Sequence, residues 1–482
     1  MDERRELDVR RATVVGSYAV LGLVLGWSRL AGLGRGGYCC DEIATVVEFV
    51  RPGPRTILTG AYIPNNHELY SLLGWASTSL LGESETILRL GAAIPFIAGV
   101  VVVTAWLHAR LGALTGLLFL FLATASPLLL DLSRQARGYG LAFLAMSVVV
   151  VAALELERSP RRWPIVAFCI GGIAGTWTLP HFAIAFLTIG AVLLLDRRLR
   201  PYVAFGLGLS IVAMVAWYAP HVDDILDSSR QDYGVSISSA WILTAPIDQT
   251  LVPAVALLDD AFIRPDLASL VAVGAFAVLM AASPLLRNRD TALIMCAGVV
   301  TTILAFWVTD TRIVPRFFSF LLVPLFMLVA SGSATLLQPL RRARPTVGSA
   351  VALVSLLALT LIAVPHLFTV TMQPREALRE AATTVDELGP ATTPVFAYVP
   401  HPNDLEFHLG RSVLRPRTPT AAQRVCMEPG DAILVVQPWV LEPAEIPCTE
   451  RTGTRHVRLE QYARGDAIDV WLIPPAASTA ER

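Results

Sequence analysis

Hydrophobic runs of close to twenty residues recur along this chain, at about 12–33, 87–108, 113–130, 140–156, 163–180, 182–195, 201–219, 266–285, 290–309, 317–337 and 347–369. A bilayer core about 30 Å thick takes roughly 20 apolar residues in a helix, and only a helix or a closed barrel satisfies its backbone groups away from water. The expected fold is therefore a polytopic α-helical membrane protein with about 11 transmembrane helices. The composition agrees, with 54% hydrophobic and only 16% charged residues, which excludes an ordinary soluble domain. All 38 basic residues are arginine, a hint of a bacterial source. No nucleic-acid partner is expected, and the net charge of −1 hides a local asymmetry that matters more than the total.

Charge placement gives the topology. Arg4, Arg5, Arg10 and Arg11 precede the first apolar run, which lacks a small-residue cleavage site, so it reads as an uncleaved signal anchor with the N-terminus inside. The connections at 108–112, 157–162, 196–200, 287–290 and 338–344 then lie in the cytoplasm, short and rich in arginine. The opening loop, 131–139, the turn at His181, 221–265, 310–316 and the tail after about residue 369 face outward. The expected location is the cytoplasmic membrane of a bacterium.

Beyond residue 370 the composition becomes that of a small soluble α/β domain, so the chain divides into a membrane domain over 1–370, with the external loop 35–86, and an extracytoplasmic domain over 371–482. A helix is expected over 374–388, opened by Pro374 and closed by Gly389, with strands over 393–399, 432–437 and 467–473. Cys169 and Cys296 fall within spans, whereas Cys39, Cys40, Cys426 and Cys448 fall in polar segments. If those face an oxidising exterior, Cys426–Cys448 is the expected disulfide.

The opening loop carries groups that fold stability does not require. Asp41 and Glu42 begin a stretch with Ile43, Val46, Val47 and Val50 at helical spacing, which predicts a short helix lying on the membrane surface, and a second is predicted over 69–81. A carboxylate at such a boundary can take a proton from a hydroxyl that becomes a nucleophile; equally, Asp41 can simply cap the helix and Glu42 favour its N-terminal dipole. Asn65, Asn66, His67 and Glu68 suit acceptor binding, a metal site or proton handling, but asparagine before a helix is also ordinary capping. Four acidic or imidazole groups in one loop permit a divalent metal without demanding one, and no cofactor is required. His401, Asp404 and His408 have metal-like spacing, yet a solvated helix face accounts for them.

Arg134, Arg137 and Tyr139 lie in an external segment, as do Arg312 and Arg316, on the side where the charge bias predicts few arginines. A bound phosphate suits the guanidinium fork; snorkelling side chains or ion pairs with Asp131 are the alternatives. There is no phosphate-binding glycine loop, dinucleotide fingerprint or serine-hydrolase elbow.

Taken in order, the acidic pair after the first span, Asn65-Asn66-His67 followed by Leu69-Tyr70, Arg89-Leu90, Ser126-Pro127 leading to Ser133-Arg134-Gln135-Ala136-Arg137-Gly138-Tyr139, and Pro315-Arg316-Phe317 with Pro324 make the chain resemble the GT-C superfamily of membrane glycosyltransferases. The resemblance is to the branch of protein O-mannosyltransferases and lipid A aminoarabinose transferases, and covers residues 12–368. It implies Asp41 as catalytic base with Glu42 beside it, and Arg134, Arg137 and Arg316, with Tyr139, holding the phosphate of a polyprenyl-phosphate sugar. Glu68 departs from it, since many relatives have proline there.

The expectation is an inverting glycosyltransferase that uses a polyprenyl-phosphate-linked sugar and membrane lipid, and serves an extracytoplasmic acceptor. A transporter or flippase for a lipid-linked sugar is the rival from another class. Its ionisable groups would sit near the bilayer midplane, commonly in repeated halves, and neither sign is present. A non-catalytic binding protein of the same fold is the third reading, separated by turnover alone.

Overall fold

Among the described residues, six helices are long and apolar enough to cross a membrane: Ala12–Leu30, Glu85–Leu111, Tyr139–Arg158, Arg200–Asp224, Arg289–Phe306 and Arg316–Leu336. The computed structural model describes residues 2–35, 38, 41–60, 66–224, 274–308, 315–339, 378–398, 402–414, 425–426, 428, 431–436, 447–450, 453–460 and 467–474. The span expected over 347–369, most of 221–265, and Cys39, Cys40, Asn65, Arg312 and His401 lie outside them.

In chain order the helices are α1 (Asp2–Leu30), α2 (Asp41–Ala44, continued by a π-turn over Thr45–Val50), α3 (Pro54–Thr59), α4 (Glu68–Leu81), α5 (Glu85–Leu111), α6 (Ala113–Ala125), α7 (Pro127–Ser133), α8 (Tyr139–Arg158), α9 (Arg162–Thr178), α10 (Phe182–Leu193), α11 (Arg200–Tyr218), α12 (Arg289–Val308), α13 (Leu322–Leu336), α14 (Leu378–Leu388) and α15 (Pro402–Leu409). The chain forms two compact units. One is Met1–Ala31, Glu48–Glu83 and Ile87–Phe368; the other is Gly32–Val47, Ser84–Thr86 and Thr369–Arg482.

Two expected spans are less regular than the hydropathy pattern suggests. The run over 113–130 is broken into α6 and α7, bent by 67°. The cause is Ser126-Pro127: proline has no N–H for the i−4 carbonyl and pushes the residue before it out of the helical region. Ser126 accordingly sits at φ −63°, ψ 116°, and its hydroxyl caps α7 by accepting the Leu129 N–H. The run over 182–195 yields α10, whose 12 residues rise only about 18 Å, too short to cross alone.

The break strands carbonyls that the sequence supplies with donors from elsewhere. In an unbroken helix the Ala123 carbonyl would accept from residue 127, which is proline. Buried Arg29 donates Nη2 to that oxygen at 2.8 Å and Nη1 to Thr124 O at 3.0 Å, while its guanidinium lies 5.1 Å from the Phe96 ring centre. In return Arg134, at the end of α7, donates Nη1 to Ser28 O (2.8 Å) and Ala31 O (2.7 Å), where α1 ends. Arg29 thus serves carbonyls at the end of α6, and Arg134 those at the end of α1.

The core of this unit forms around α8. Ala92, Phe96, Val100, Val103 and Leu107 make one buried face of α5, while Ile94 and Val101 on its other side are exposed, as befits a helix that is apolar all round. Gly140 lets α8 approach α5 closely, since a Cβ there would run into the Ala92 carbonyl. Phe96 and Phe143 then pack at 4.7 Å between centroids.

The second unit holds a four-stranded sheet of order β1-β2-β4-β3, from β1 (Val395–Tyr398), β2 (Ala432–Val436), β3 (Arg455–Glu460) and β4 (Ala467–Ile473). β1 and β2 are parallel and the other pairs antiparallel. Side chains alternate across it: Val395, Ile433, Val435 and Val470 pack with Ala381, Val385 and Leu405 of α14 and α15, whereas Phe396, Leu434, Val436 and Trp471 pack with the Cys426–Cys448 disulfide. β3 was not expected: Arg455, His456, Arg458 and Glu460 give an edge strand too polar to stand out, although its alternation with Val457 and Leu459 is regular.

Candidate active site

The chain breaks helix geometry between α7 and α8, and the residues of that turn meet the start of α4. Gly138 precedes α8, and its N–H donates to His67 Nδ1 at 2.8 Å. A side chain at 138 could not be accommodated, because its Cβ would collide with Thr178 and with His67. Arg137 Nη2 lies 3.0 Å from the other ring nitrogen of His67, Nε2. The Tyr139 ring stands edge-on to the imidazole at 5.0 Å, and the Arg137 guanidinium is 5.8 Å from the centre of the Tyr139 ring. His67, Arg137 and Tyr139 are each 1% exposed, and the Tyr139 hydroxyl has no hydrogen-bond partner among the described residues.

The electrostatics follow from that burial. Desolvation, then the charges of Arg137 and Arg316, hold His67 well below the usual imidazole range, so the ring is neutral. With Nδ1 accepting from Gly138, its one proton must sit on Nε2, facing Arg137 Nη2, which is also a donor. Two N–H groups this close, 3.0 Å apart, can share one oxygen acceptor, and an anionic oxygen serves best.

Arg316 is set by a residue for which the sequence suggested no role. His181 donates Nε2–H to Phe317 O at 2.9 Å within a cage of Phe306, Phe317, Phe318 and Phe320. Burial pushes its pKa down to about 4, which keeps the ring a neutral donor. It thereby fixes the tight turn Pro315–Leu321 that carries Arg316.

Asn66 and Glu68 go elsewhere. Asn66 accepts from the Ser71 hydroxyl at 2.9 Å and donates to Ile57 O, a local tie that holds the entry to α4. Glu68 accepts the indole N–H of Trp217, which stacks on Trp177 at 4.3 Å; Trp177 Nε1 and Thr176 Oγ1 are buried without partners among the described residues. No three His, Cys, Asp or Glu side chains come together as a metal-binding group among the described residues. His67 directs both nitrogens at N–H donors, which is the opposite of what a cation requires.

Glu68 carries a pH signature. Burial raises its pKa from 4.5 to about 7, outweighing the Trp217 hydrogen bond. The unfolded chain gives up this proton near 4.5 and the folded chain keeps it to about 7. The folded state therefore binds more protons across that window, and stability falls as pH rises through it. Glu68→Gln keeps an oxygen for Trp217 without a charge, so melting of the purified protein at pH 5 to 8 should show wild type losing ground to the variant as pH rises. Parallel pH profiles would disprove it.

In the second unit Asp41 opens α2, with Glu42 buried beside it. The expected apolar face is formed by Ile43, Val46 and Val50, while Val47 is exposed and Phe49 buried, because the helix widens to a π-turn that rotates the register.

The helical bundle with its small sheet has the GT-C fold, that of a class of membrane glycosyltransferases. Among solved structures, ArnT from Cupriavidus metallidurans in the apo state is similar over 96% of this chain and 98% of its own (TM-score 0.57, 14% identity). The same ArnT bound to undecaprenyl phosphate matches over the same shares (0.56, 15%). The Archaeoglobus fulgidus oligosaccharyltransferase complex with Zn and sulfate matches 83% of this chain and 62% of its own (0.50, 12%). No protein-family pattern matches the sequence, and no curated protein matches it. The likeness is one of fold.

Proposed function

We propose that this chain is a membrane glycosyltransferase that moves a sugar, with inversion, from a polyprenyl-phosphate donor to an acceptor on the outer face of a bacterial cytoplasmic membrane. The observation that carries the reading is the buried pair of N–H groups, Arg137 Nη2 and His67 Nε2, 3.0 Å apart with Gly138 occupying Nδ1. A phosphate oxygen can accept from both, and the Tyr139 hydroxyl can supply a further donor. Arg316 adds charge to the same surroundings. Arg134 donates Nη1 to the end of α1. That one of the similar solved structures is ArnT bound to undecaprenyl phosphate agrees with the donor class.

In the reaction the acceptor hydroxyl attacks the anomeric carbon as the bond from that carbon to the phosphate oxygen breaks. The leaving polyprenyl phosphate gains negative charge, which cationic donors stabilise, and Asp41 takes the acceptor's proton with Glu42 beside it. The reading includes a membrane domain over residues 1–370 and an extracytoplasmic domain over 371–482 that carries the disulfide. Purified protein in detergent is offered radiolabelled polyprenyl-phosphate sugars with a membrane extract as acceptor. Release of polyprenyl phosphate is expected from at least one. A donor that binds and stays intact with every extract would point to a flippase or a binding protein instead.

A further inference from the structure

The stretch that carries Asp41 belongs to the same compact unit as the C-terminal tail, and the contacts between them are specific. Arg379 of α14 donates Nη2 to Gly34 O at 3.0 Å and Nη1 to Glu85 Oε1 at 2.8 Å, so one guanidinium ties both ends of the loop. Four residues on from Gly34, the carbonyl of Tyr38 accepts from His408 Nε2 of α15 at 2.8 Å. The buried Tyr38 ring meets Phe407 edge-on at 6.4 Å, and Phe407 in turn packs against His408 at 5.1 Å. Asp41 begins α2 three residues after Tyr38.

We infer that α14 and α15 of the tail are a clamp that sets the place of the Asp41–Glu42 segment, with Arg379 and His408 as positioning residues. The inference rests on the role proposed above for Asp41. Two points on the approach to α2 are fixed through backbone oxygens, at residues 34 and 38, so the clamp constrains where the chain goes whatever its side chains do there. Arg379 can serve two oxygens at once only because its guanidinium is a planar fork. Burial holds the His408 pKa below the ordinary imidazole value, so near neutrality it is a neutral ring with a single N–H to give to Tyr38 O.

The test uses the full-length protein in detergent and measures hydrogen exchange of residues 34–47 with turnover in parallel. In the double variant Arg379→Ala, His408→Leu, exchange of 34–47 should rise while peptides from β2, β4 and α8 keep their protection. The maximal rate should fall roughly tenfold or more with donor KM unchanged, as small misplacement of a reacting group costs rate before binding. His408→Gln, which retains an N–H near the place of Nε2, should recover most of both effects in the otherwise wild-type chain relative to His408→Leu, and it keeps the test sound if the double variant unfolds. Unchanged exchange over 34–47 overturns the clamp, as does faster exchange at full turnover. The exchange measurement needs no substrate, so it decides the clamp even if wild type turns nothing over, an outcome that counts against the proposed function alone.

Discussion

Asp41→Asn should leave expression, thermal stability and donor binding near wild type while turnover falls by roughly two to four powers of ten, the usual worth of a general base. The substitution separates the two demands that a carboxylate at the start of a helix can meet. Asparagine still accepts a hydrogen bond and tolerates the first turn, but it cannot take a proton. Asp41 is the first residue of α2. The measurement is turnover of a labelled polyprenyl-phosphate sugar by variant and wild type, with melting temperature as the control. An active Asp41→Asn beside an unstable Asp41→Ala would assign Asp41 to the helix and move the base to Glu42 or Glu68. Of these, Glu68 already accepts from Trp217 and has its pKa raised to about 7.

What could be read from the sequence was whatever depends on local pattern. The long apolar runs gave helices at Glu85–Leu111, Tyr139–Arg158 and Arg289–Val308 within a few residues of the expected spans, because hydropathy over twenty residues is a strong signal. The break at Ser126-Pro127 was also written locally, yet apolar residues on both sides concealed it. The donors that make the break tolerable, Arg29 for α6 and Arg134 for α1, could not be read at all. Each reaches across 94 residues or more, and an arginine near a membrane surface looks the same whether it meets a phosphate or a carbonyl.

The candidate site divides along the same line. His67, Arg137 and Tyr139 stood out as polar groups in external segments, but their meeting is a tertiary fact between positions 70 residues apart. Trp217 and Trp177 carry no signal in the sequence, since tryptophan at a helix end near a membrane surface is ordinary. The spacing around His408 suits a solvated helix face, whereas the ring bonds to Tyr38, 370 positions away. Sequence spacing can propose which groups matter; the partners that give each a defined proton or charge come from packing.

Arg137→Ala should weaken binding of polyprenyl phosphate by roughly one to two powers of ten, the size expected when a buried acceptor loses a charged donor. The fold should tolerate the change, because the Gly138 N–H still holds His67 at Nδ1 and α8 keeps its start. Arg137→Lys restores the charge but not the fork, so it should recover only part of the affinity. Binding is read by quenching or calorimetry with a short-chain polyprenyl phosphate, which needs neither the sugar nor the acceptor to be known. Tyr139→Phe gives an internal comparison: it deletes one neutral hydroxyl and should cost less than the arginine, since hydrogen bonds from charged donors are worth about twice the neutral kind. Unchanged affinity in a folded Arg137→Ala protein would refute the anion site. It would leave the facing N–H groups of Arg137 and His67 as a feature of packing, with the donor phosphate to be sought at Arg316.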